Sequence, residues 1–190
     1  MRHTPYVLIV LRVLLGPTIF WISQINVHST WLALALIAAF LSDIFDGVIA
    51  RRLKIVTPAL RVADSRTDAW YFAWILITLW RTRRRLLQPY LLWIALEIGL
   101  QIFSYLFDYV KYRRITSLHA YSAKVWGLTL FLAIYTLLIY RRAFPWIDIA
   151  IGTGIISFVD GLAIKLLLPN WQHDVPSCFH AHRLRSSRSG

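Results

Sequence analysis

Residues 42–68 of the chain read SDIFDGVIARRLKIVTPALRVADSRTD. It contains four of the nine acidic residues of the chain, all of them aspartates: Asp43, Asp46, Asp64 and Asp68. In helices, the spacings i, i+3 and i, i+4 place each pair of aspartates on one face. Gly47 and Ala50 share the face of the first pair, and their small size lets a ligand approach the backbone closely.

Each aspartate pair lies at one end of a long apolar run of the sequence. Four carboxylates in such a place, with no compensating charge, would be strongly unfavourable. We therefore expect a cation between them. Magnesium and manganese ions take oxygen ligands, and two such ions in one carboxylate cluster can clamp a diphosphate.

The composition predicts an integral membrane protein. The 190 residues fit a single domain, and a hydrophobic content of 58% with a mean hydropathy of +0.56 is too apolar for a soluble domain of this size. Twenty-one Lys and Arg against nine acids give a net charge of +12. Because these basic residues alternate with long apolar runs, the charge favours anionic lipid headgroups as the partner and argues against nucleic acid.

Six apolar runs approach the ~20 residues that are needed to cross a bilayer. They cover approximately residues 5–27, 30–50, 61–80, 89–107, 118–140 and 146–168. We therefore predict an all-α, polytopic membrane protein, a bundle of six transmembrane helices in residues 1–169, followed by a polar basic tail in residues 170–190. The two aspartate pairs would then face each other across one short loop at one face of the membrane.

The basic residues of the loops predict the orientation. If the loop between the aspartate pairs is cytoplasmic, eleven Lys and Arg lie inside and six lie outside, as the positive-inside rule requires. The cluster RTRRR, Arg81 to Arg85, lies on the external side and has no explanation in this scheme. The expected location is a bacterial inner (cell) membrane, with the aspartates facing the cytoplasm.

The first apolar run begins like a signal peptide, but Arg12 interrupts it and no small-residue cleavage site follows. We interpret the run as a retained first helix. Arg12 has two possible roles there: it can snorkel to the cytoplasmic interface, which is the interpretation we favour, or it can face the aspartates.

The aspartate stretch resembles the signature of the CDP-alcohol phosphotransferases, membrane enzymes that make phospholipids. Seven of the eight fixed positions match at the correct spacing across 26 residues. The exception is Leu60, where the family has a second glycine. The matching positions are Asp43, Asp46, Gly47, Ala50, Arg51, Asp64 and Asp68. Arg12 and Pro17 also fit the pattern of the family's first helix.

The resemblance implies that an alcohol attacks the lipid-linked phosphorus of CDP-diacylglycerol and that CMP leaves. Two Mg²⁺ or Mn²⁺ ions would bridge the diphosphate. By resemblance, the metal ligands are Asp43, Asp46, Asp64 and Asp68, and Asp68 is also the general base. Gly47, Ala50 and Arg51 would line the CDP pocket. The resemblance further suggests a homodimer.

The acceptor is interpreted from the basic residues near the fifth run. Lys124 lies one to two turns inside that run, and a buried lysine requires an anionic partner, such as an acceptor phosphate. Arg113 and Arg114 precede it and can attract an anionic acceptor, although the role we favour for them is that of solvated charges in a cytoplasmic loop. These residues favour a small polar alcohol that carries a phosphate, such as glycerol 3-phosphate or an inositol phosphate. A structural ion pair or snorkelling of Lys124 is the alternative.

Two other classes of protein place carboxylates in membrane helices. Intramembrane prenyltransferases bind a magnesium diphosphate, but they generally need more than six helices and lack the Gly-x2-Ala-Arg continuation. A non-enzymatic cation transporter would place the carboxylates near the bilayer midplane. In the last run, Asp160 and Lys165 predict a contact between helices or a local ion pair, and Gly152 and Gly154 predict helix packing.

Overall fold

The computed structural model describes residues 4–25, 30–52, 58–113 and 121–167, and these residues contain helices and no strand. A 3₁₀ turn, Gln88–Tyr90, follows the third helix, and a π-helical turn, Thr136–Tyr140, ends the fifth. The prediction of an all-α fold is therefore confirmed. The six α-helices are α1 (Thr4–Ile25), α2 (Thr30–Arg52), α3 (Pro58–Leu87), α4 (Leu91–Tyr112), α5 (Tyr121–Tyr135) and α6 (Trp146–Leu167).

Four segments of the described chain have the length and hydropathy of a membrane-spanning helix, so the prediction of six transmembrane helices is wrong. These segments are Val7–Ile25, Arg66–Lys111, Tyr121–Tyr140 and Trp146–Leu166. Two features explain the difference. Within the residues whose side chains the structure describes, the apolar part of α2 is Thr30–Phe45, which is shorter than the other four segments. In addition, α3 and α4 follow each other as one apolar segment of 46 residues.

The described helices form two compact units. The first contains the described residues up to Leu87 together with Ile134–Arg142, and the second contains the described residues of Gln88–Ala133 and those from Ala143 onward. The predicted tail, residues 170–190, lies outside the described residues.

In the first unit, α1 packs against both α2 and α3. The side chains of Ile19, Leu32 and Leu36 are completely buried at the contact of α1 with α2. On the other side, Gly16 lets α1 approach α3 closely, since a Cβ atom there would lie 3.2 Å from Cδ1 of Trp74. This packing holds α1 beside the ends of the helices that carry the aspartates.

The proline of α1 creates a hydrogen bond to α3. Pro17 has no N–H group, so the carbonyl of Val13, four residues earlier, lacks its usual helical donor. The indole Nε1 of Trp70 donates to this carbonyl at 3.2 Å. The bond fixes α1 against α3 close to Arg12 on one helix and Asp68 on the other.

Arg83 links the end of α3 to the π-helical turn. Its backbone departs from helical geometry (φ −133°, ψ 21°), and its side chain is buried. Nε donates to the carbonyl of Leu137 at 2.9 Å and Nη2 to that of Leu138 at 2.8 Å. One of the arginines of the RTRRR cluster is therefore a structural cap on carbonyls at the end of a helix.

In the second unit, polar contacts connect α6 to α4 and α5. Ser122 donates to Asp160 at 2.7 Å, which confirms the predicted contact between helices for Asp160. Lys165, by contrast, does not form a local pair with Asp160; its ammonium group lies 2.9 Å from the fully buried Asp108 of α4. The cause is geometric, because Asp108 is aligned with Lys165 across the contact of α4 and α6.

The packing role that was predicted for the two glycines of α6 holds for one of them. At Gly154, a Cβ atom would collide with the carboxylate of Glu97 and would lie 2.8 Å from Nε1 of Trp126. At Gly152, a Cβ atom would meet no atom within 4 Å. Only Gly154 therefore permits close packing of α6 against its neighbours within the described residues.

Candidate active site

Three of the four aspartates come together in the first unit. Asp43 lies near the end of α2, and Asp64 and Asp68 lie one turn apart near the start of α3. One carboxylate oxygen of each lies within 4.8 Å of the others. We call these three residues the carboxylate cluster. Their side chains are 51%, 40% and 39% exposed, so solvent and a substrate can reach them.

Arg12 of α1 lies at the base of the carboxylate cluster. Its Nη1 is 3.0 Å from Oδ1 of Asp43 and 3.1 Å from Oδ1 of Asp64, and it also contacts Oδ1 of Asp68. The Arg12 side chain is 1% exposed. The interpretation of Arg12 as a snorkelling residue is therefore wrong. Its guanidinium group is drawn inward because three carboxylates offer a stronger counter-charge than the interface does.

Burial and the neighbouring charges act in opposite directions on the pKa of Asp43. Although half of its side chain is exposed, desolvation raises the pKa of Asp43 above its ordinary value. The positive charge of Arg12 lowers this pKa, and the negative charge of Asp64 raises it further. The net effect makes the carboxyl group of Asp43 easier to protonate, and a bound cation would counteract it.

Tyr71 is a member of the site that the motif does not contain. It is buried on α3, three residues after Asp68, and its hydroxyl group lies within electrostatic reach of Arg12 and Asp43. The i, i+3 spacing from Asp68 places it on the same helix face, and that spacing is the signal from which it could have been found.

The carboxylate cluster fits a hard divalent cation. Such ions take carboxylate oxygens as ligands, and three of them converge here with room for further ligands on the exposed side. The side chain of Asp46, the fourth predicted ligand, lies outside the described part of the structure, although its backbone belongs to α2.

The predicted CDP pocket also falls on side chains that the structure does not describe: Gly47, Ala50, Arg51 and Leu60. The backbone of the first three continues α2 beyond Asp43, on the same helix as the carboxylate cluster. Their assignment to the pocket stays a prediction.

The residues predicted to bind the acceptor belong to the second unit. Lys124 is exposed, and its ammonium group lies 5.2 Å from the centre of the Tyr121 ring. The argument that Lys124 is buried and requires an anionic partner is therefore wrong, because α5 turns this side chain outward. Arg113 is exposed too, with its guanidinium carbon 5.8 Å from the ring centre of Tyr109, and Arg114 lies outside the described residues.

Comparison with known proteins extends the resemblance from the motif to most of the chain. The family model for CDP-alcohol phosphatidyltransferase matches residues 2–154, from α1 to the middle of α6. None of the curated proteins and none of the solved structures matches the chain. The carboxylate cluster and Arg12 both lie inside the matched region. The chain therefore belongs to the CDP-alcohol phosphatidyltransferase family, whose members are membrane transferases of phosphate-containing groups in phospholipid synthesis.

Proposed function

We propose that this protein transfers a phosphatidyl group from CDP-diacylglycerol to a small polar alcohol and releases CMP. The observation that carries the proposal is the convergence of Asp43, Asp64 and Asp68 within 4.8 Å at an accessible helix end, inside the region that matches the family. A cluster of this kind serves to hold the cations that a diphosphate requires.

The proposed cofactors are two divalent ions, Mg²⁺ or Mn²⁺, with the ligands Asp43, Asp46, Asp64 and Asp68. When bound, such ions neutralise the charge of the diphosphate and help CMP to depart. Arg51 would hold a phosphate oxygen, and Gly47 and Ala50 would leave room for the nucleotide beside α2. Leu60 stands where the family has a second glycine.

In the proposed reaction, the acceptor hydroxyl forms a new O–P bond at the lipid-linked phosphorus, and the bond from this phosphorus to the oxygen of CMP breaks. The hydroxyl proton passes to Asp68. Within the described residues, Asp68 contacts Arg12 through Oδ1, which leaves Oδ2 to accept the proton. The partial exposure of Asp68 lets an acceptor reach it.

We propose that the acceptor carries a phosphate, as in glycerol 3-phosphate or an inositol phosphate, and that Lys124 binds this phosphate. The exposure of Lys124 makes its ammonium group accessible to such a ligand. A comparison of Lys124→Ala with the wild-type enzyme tests this role, and an unchanged apparent acceptor affinity would remove Lys124 from the site.

The enzyme is further proposed to work as a homodimer, and a monomeric mass in lipid nanodiscs would contradict this.

The decisive experiment measures CMP release by the purified protein. The assay contains CDP-diacylglycerol, Mg²⁺ or Mn²⁺, and a panel of acceptor alcohols, with a chelator as the control. We expect release only when both the metal and one class of acceptor are present. Turnover of a prenyl diphosphate instead of CDP-diacylglycerol would favour an intramembrane prenyltransferase. Metal flux across proteoliposomes without CMP would favour a transporter.

A further inference from the structure

Six arginines lie close together at the end of the first unit that is remote from the carboxylate cluster. They come from the last turns of α3 and from the chain directly after the π-helical turn: Arg81, Arg83, Arg84, Arg85, Arg141 and Arg142. We call this group the arginine patch. All of its members except Arg83 are exposed.

Arg83 brings the two halves of the arginine patch together. Its side chain donates to the carbonyl of Leu138 at 2.8 Å, and Arg141 follows Leu138 by three residues. Three Cα–Cα steps of 3.8 Å span at most ~11 Å. Arg141 is also near enough to act electrostatically on Arg83. The proximity of these positive charges is therefore built into the fold and does not depend on a loose loop.

The arginine patch forms no ion pair within the described part of the protein. None of its five exposed members forms an ion pair with a described carboxylate. In the first unit, the described carboxylates are those of the carboxylate cluster, and Arg12 already contacts all three. Guanidinium groups that lie this close together repel one another unless anions lie between them.

The arginine patch lies about one bilayer thickness from the carboxylate cluster. At 1.5 Å per residue, the 17 residues from Asp68 to Arg85 correspond to ~26 Å of helix, against ~30 Å of hydrocarbon. Aromatic side chains typical of a membrane interface accompany the arginines. Arg84 stacks over Trp80, with 4.9 Å from its guanidinium carbon to the ring centre, and the exposed Tyr140 precedes Arg141.

We propose that the arginine patch binds the phosphate groups of anionic phospholipids in the leaflet opposite to the carboxylate cluster. Guanidinium groups form paired hydrogen bonds with phosphate oxygens. The aromatic rings hold the surrounding chain at the depth where lipid phosphates lie. The lipid supplies the negative charge with which the described residues do not pair these arginines, and this role is independent of the transfer reaction.

The test is a lipid titration of the full-length protein in detergent, followed by native mass spectrometry. The probes are phosphatidylglycerol and phosphatidylcholine with identical acyl chains. The variant is Arg141→Gln with Arg142→Gln. The matched control is Arg66→Gln with Arg113→Gln, which removes the same charge from exposed positions. The match includes backbone geometry, because Arg113 and Arg141 both have a left-handed conformation, with φ of 53° and 55°.

We expect wild type and the control pair to prefer phosphatidylglycerol. The Arg141, Arg142 variant should bind phosphatidylglycerol ~10-fold or more weakly and bind phosphatidylcholine as before. A second pair, Arg81→Gln with Arg85→Gln, should show the same loss from the other half of the patch. If the Arg141, Arg142 variant fails to fold, the Arg81, Arg85 variant takes its place in the test.

Three results would overturn the proposal. The first is equal binding of both lipids by the wild-type protein. The second is an equal loss in the control pair, which would indicate general attraction by net charge. The third is displacement of phosphatidylglycerol by millimolar inorganic phosphate, which would indicate a site for a free ion.

Discussion

Arg12 places one positive charge in contact with three carboxylates, so its removal leaves these carboxylates to repel one another. We expect Arg12→Gln to destabilise the purified protein by about 1–3 kcal/mol in the presence of a chelator, a value discounted because the aspartates are partly exposed. Arg12→Lys should recover part of this loss. Thermal unfolding measures both variants.

The control for Arg12 is Arg66→Gln, which removes an exposed arginine close to the same end of α3. It should leave the unfolding temperature nearly unchanged. If Arg12→Gln unfolded at the same temperature as the wild-type protein, the contacts of Arg12 with the carboxylate cluster would contribute nothing to stability.

The carboxylates have separable roles in the proposed reaction. Asp43→Asn removes a charged metal ligand, so it should weaken metal-dependent binding of a CDP analogue as well as turnover. Asp68→Asn keeps nearly the same shape but cannot accept the acceptor's proton. We expect turnover to fall by ~10² to 10⁴ while CDP binding survives.

Binding of the analogue across a metal titration distinguishes the two carboxylates. Near-normal turnover by Asp68→Asn would refute its role as the base. A loss of nucleotide binding as complete as that of Asp43→Asn would make Asp68 mainly a metal ligand.

At the scale of the helices, the bond from Trp70 to Val13 holds α1 against α3. Trp70→Phe removes the donor and leaves the Val13 carbonyl without a partner, at a cost of about 1–2 kcal/mol. The same substitution should cost less in a Pro17→Ala background, because the introduced alanine supplies the missing helical N–H. A double-mutant cycle by thermal unfolding measures this coupling. Strict additivity of the two substitutions would exclude the proposed link.

Arg83 connects two helix ends through a forked geometry that only a guanidinium group provides. Arg83→Lys cannot reach both carbonyls, so it should destabilise the protein by about 2 kcal/mol, nearly as much as Arg83→Gln. Arg84→Gln, at an exposed position, serves as the control and should have little effect. Equal stability of Arg83→Gln and Arg84→Gln against denaturation would contradict the capping role.

These interhelical bonds mark the limit of what the sequence can predict. The carboxylate cluster was predictable, because the spacing of the aspartates fixes their helix faces and one short loop joins the two helices. The inward direction of Arg12 and the cap by Arg83 were not. Arg83 bonds to a residue 54 positions away, and Trp70 to one 57 positions away. Such pairings depend on packing that no local pattern encodes.

At the scale of the whole molecule, the number of membrane crossings is another property that the sequence did not predict correctly. Hydropathy located all six helices, but it did not show that α3 and α4 lie in one continuous apolar segment of 46 residues. Lys124 shows the same limit. Its depth within an apolar run suggested burial, whereas the rotation of α5 turns it outward.

The buried position of Arg83 changes the count of loop charges from which the orientation in the membrane is predicted. The scheme of six crossings that was predicted from the sequence places eleven Lys and Arg on the cytoplasmic side and six on the other. Arg83 is buried and hydrogen-bonded to carbonyls, so it is not a free loop charge. Without Arg83, five Lys and Arg remain on the external side of that scheme, and by the positive-inside rule this smaller number favours a cytoplasmic carboxylate cluster.

We therefore expect a cysteine introduced at position 54, in a Cys178→Ser background, to react with a membrane-impermeant maleimide only after the cells are opened. A cysteine at position 142, next to the other helix ends, should react in intact cells. The two positions control for each other, because an inverted molecule exchanges their labelling. Labelling of position 54 from outside, with position 142 protected, would reverse the orientation and place the carboxylate cluster on the external face.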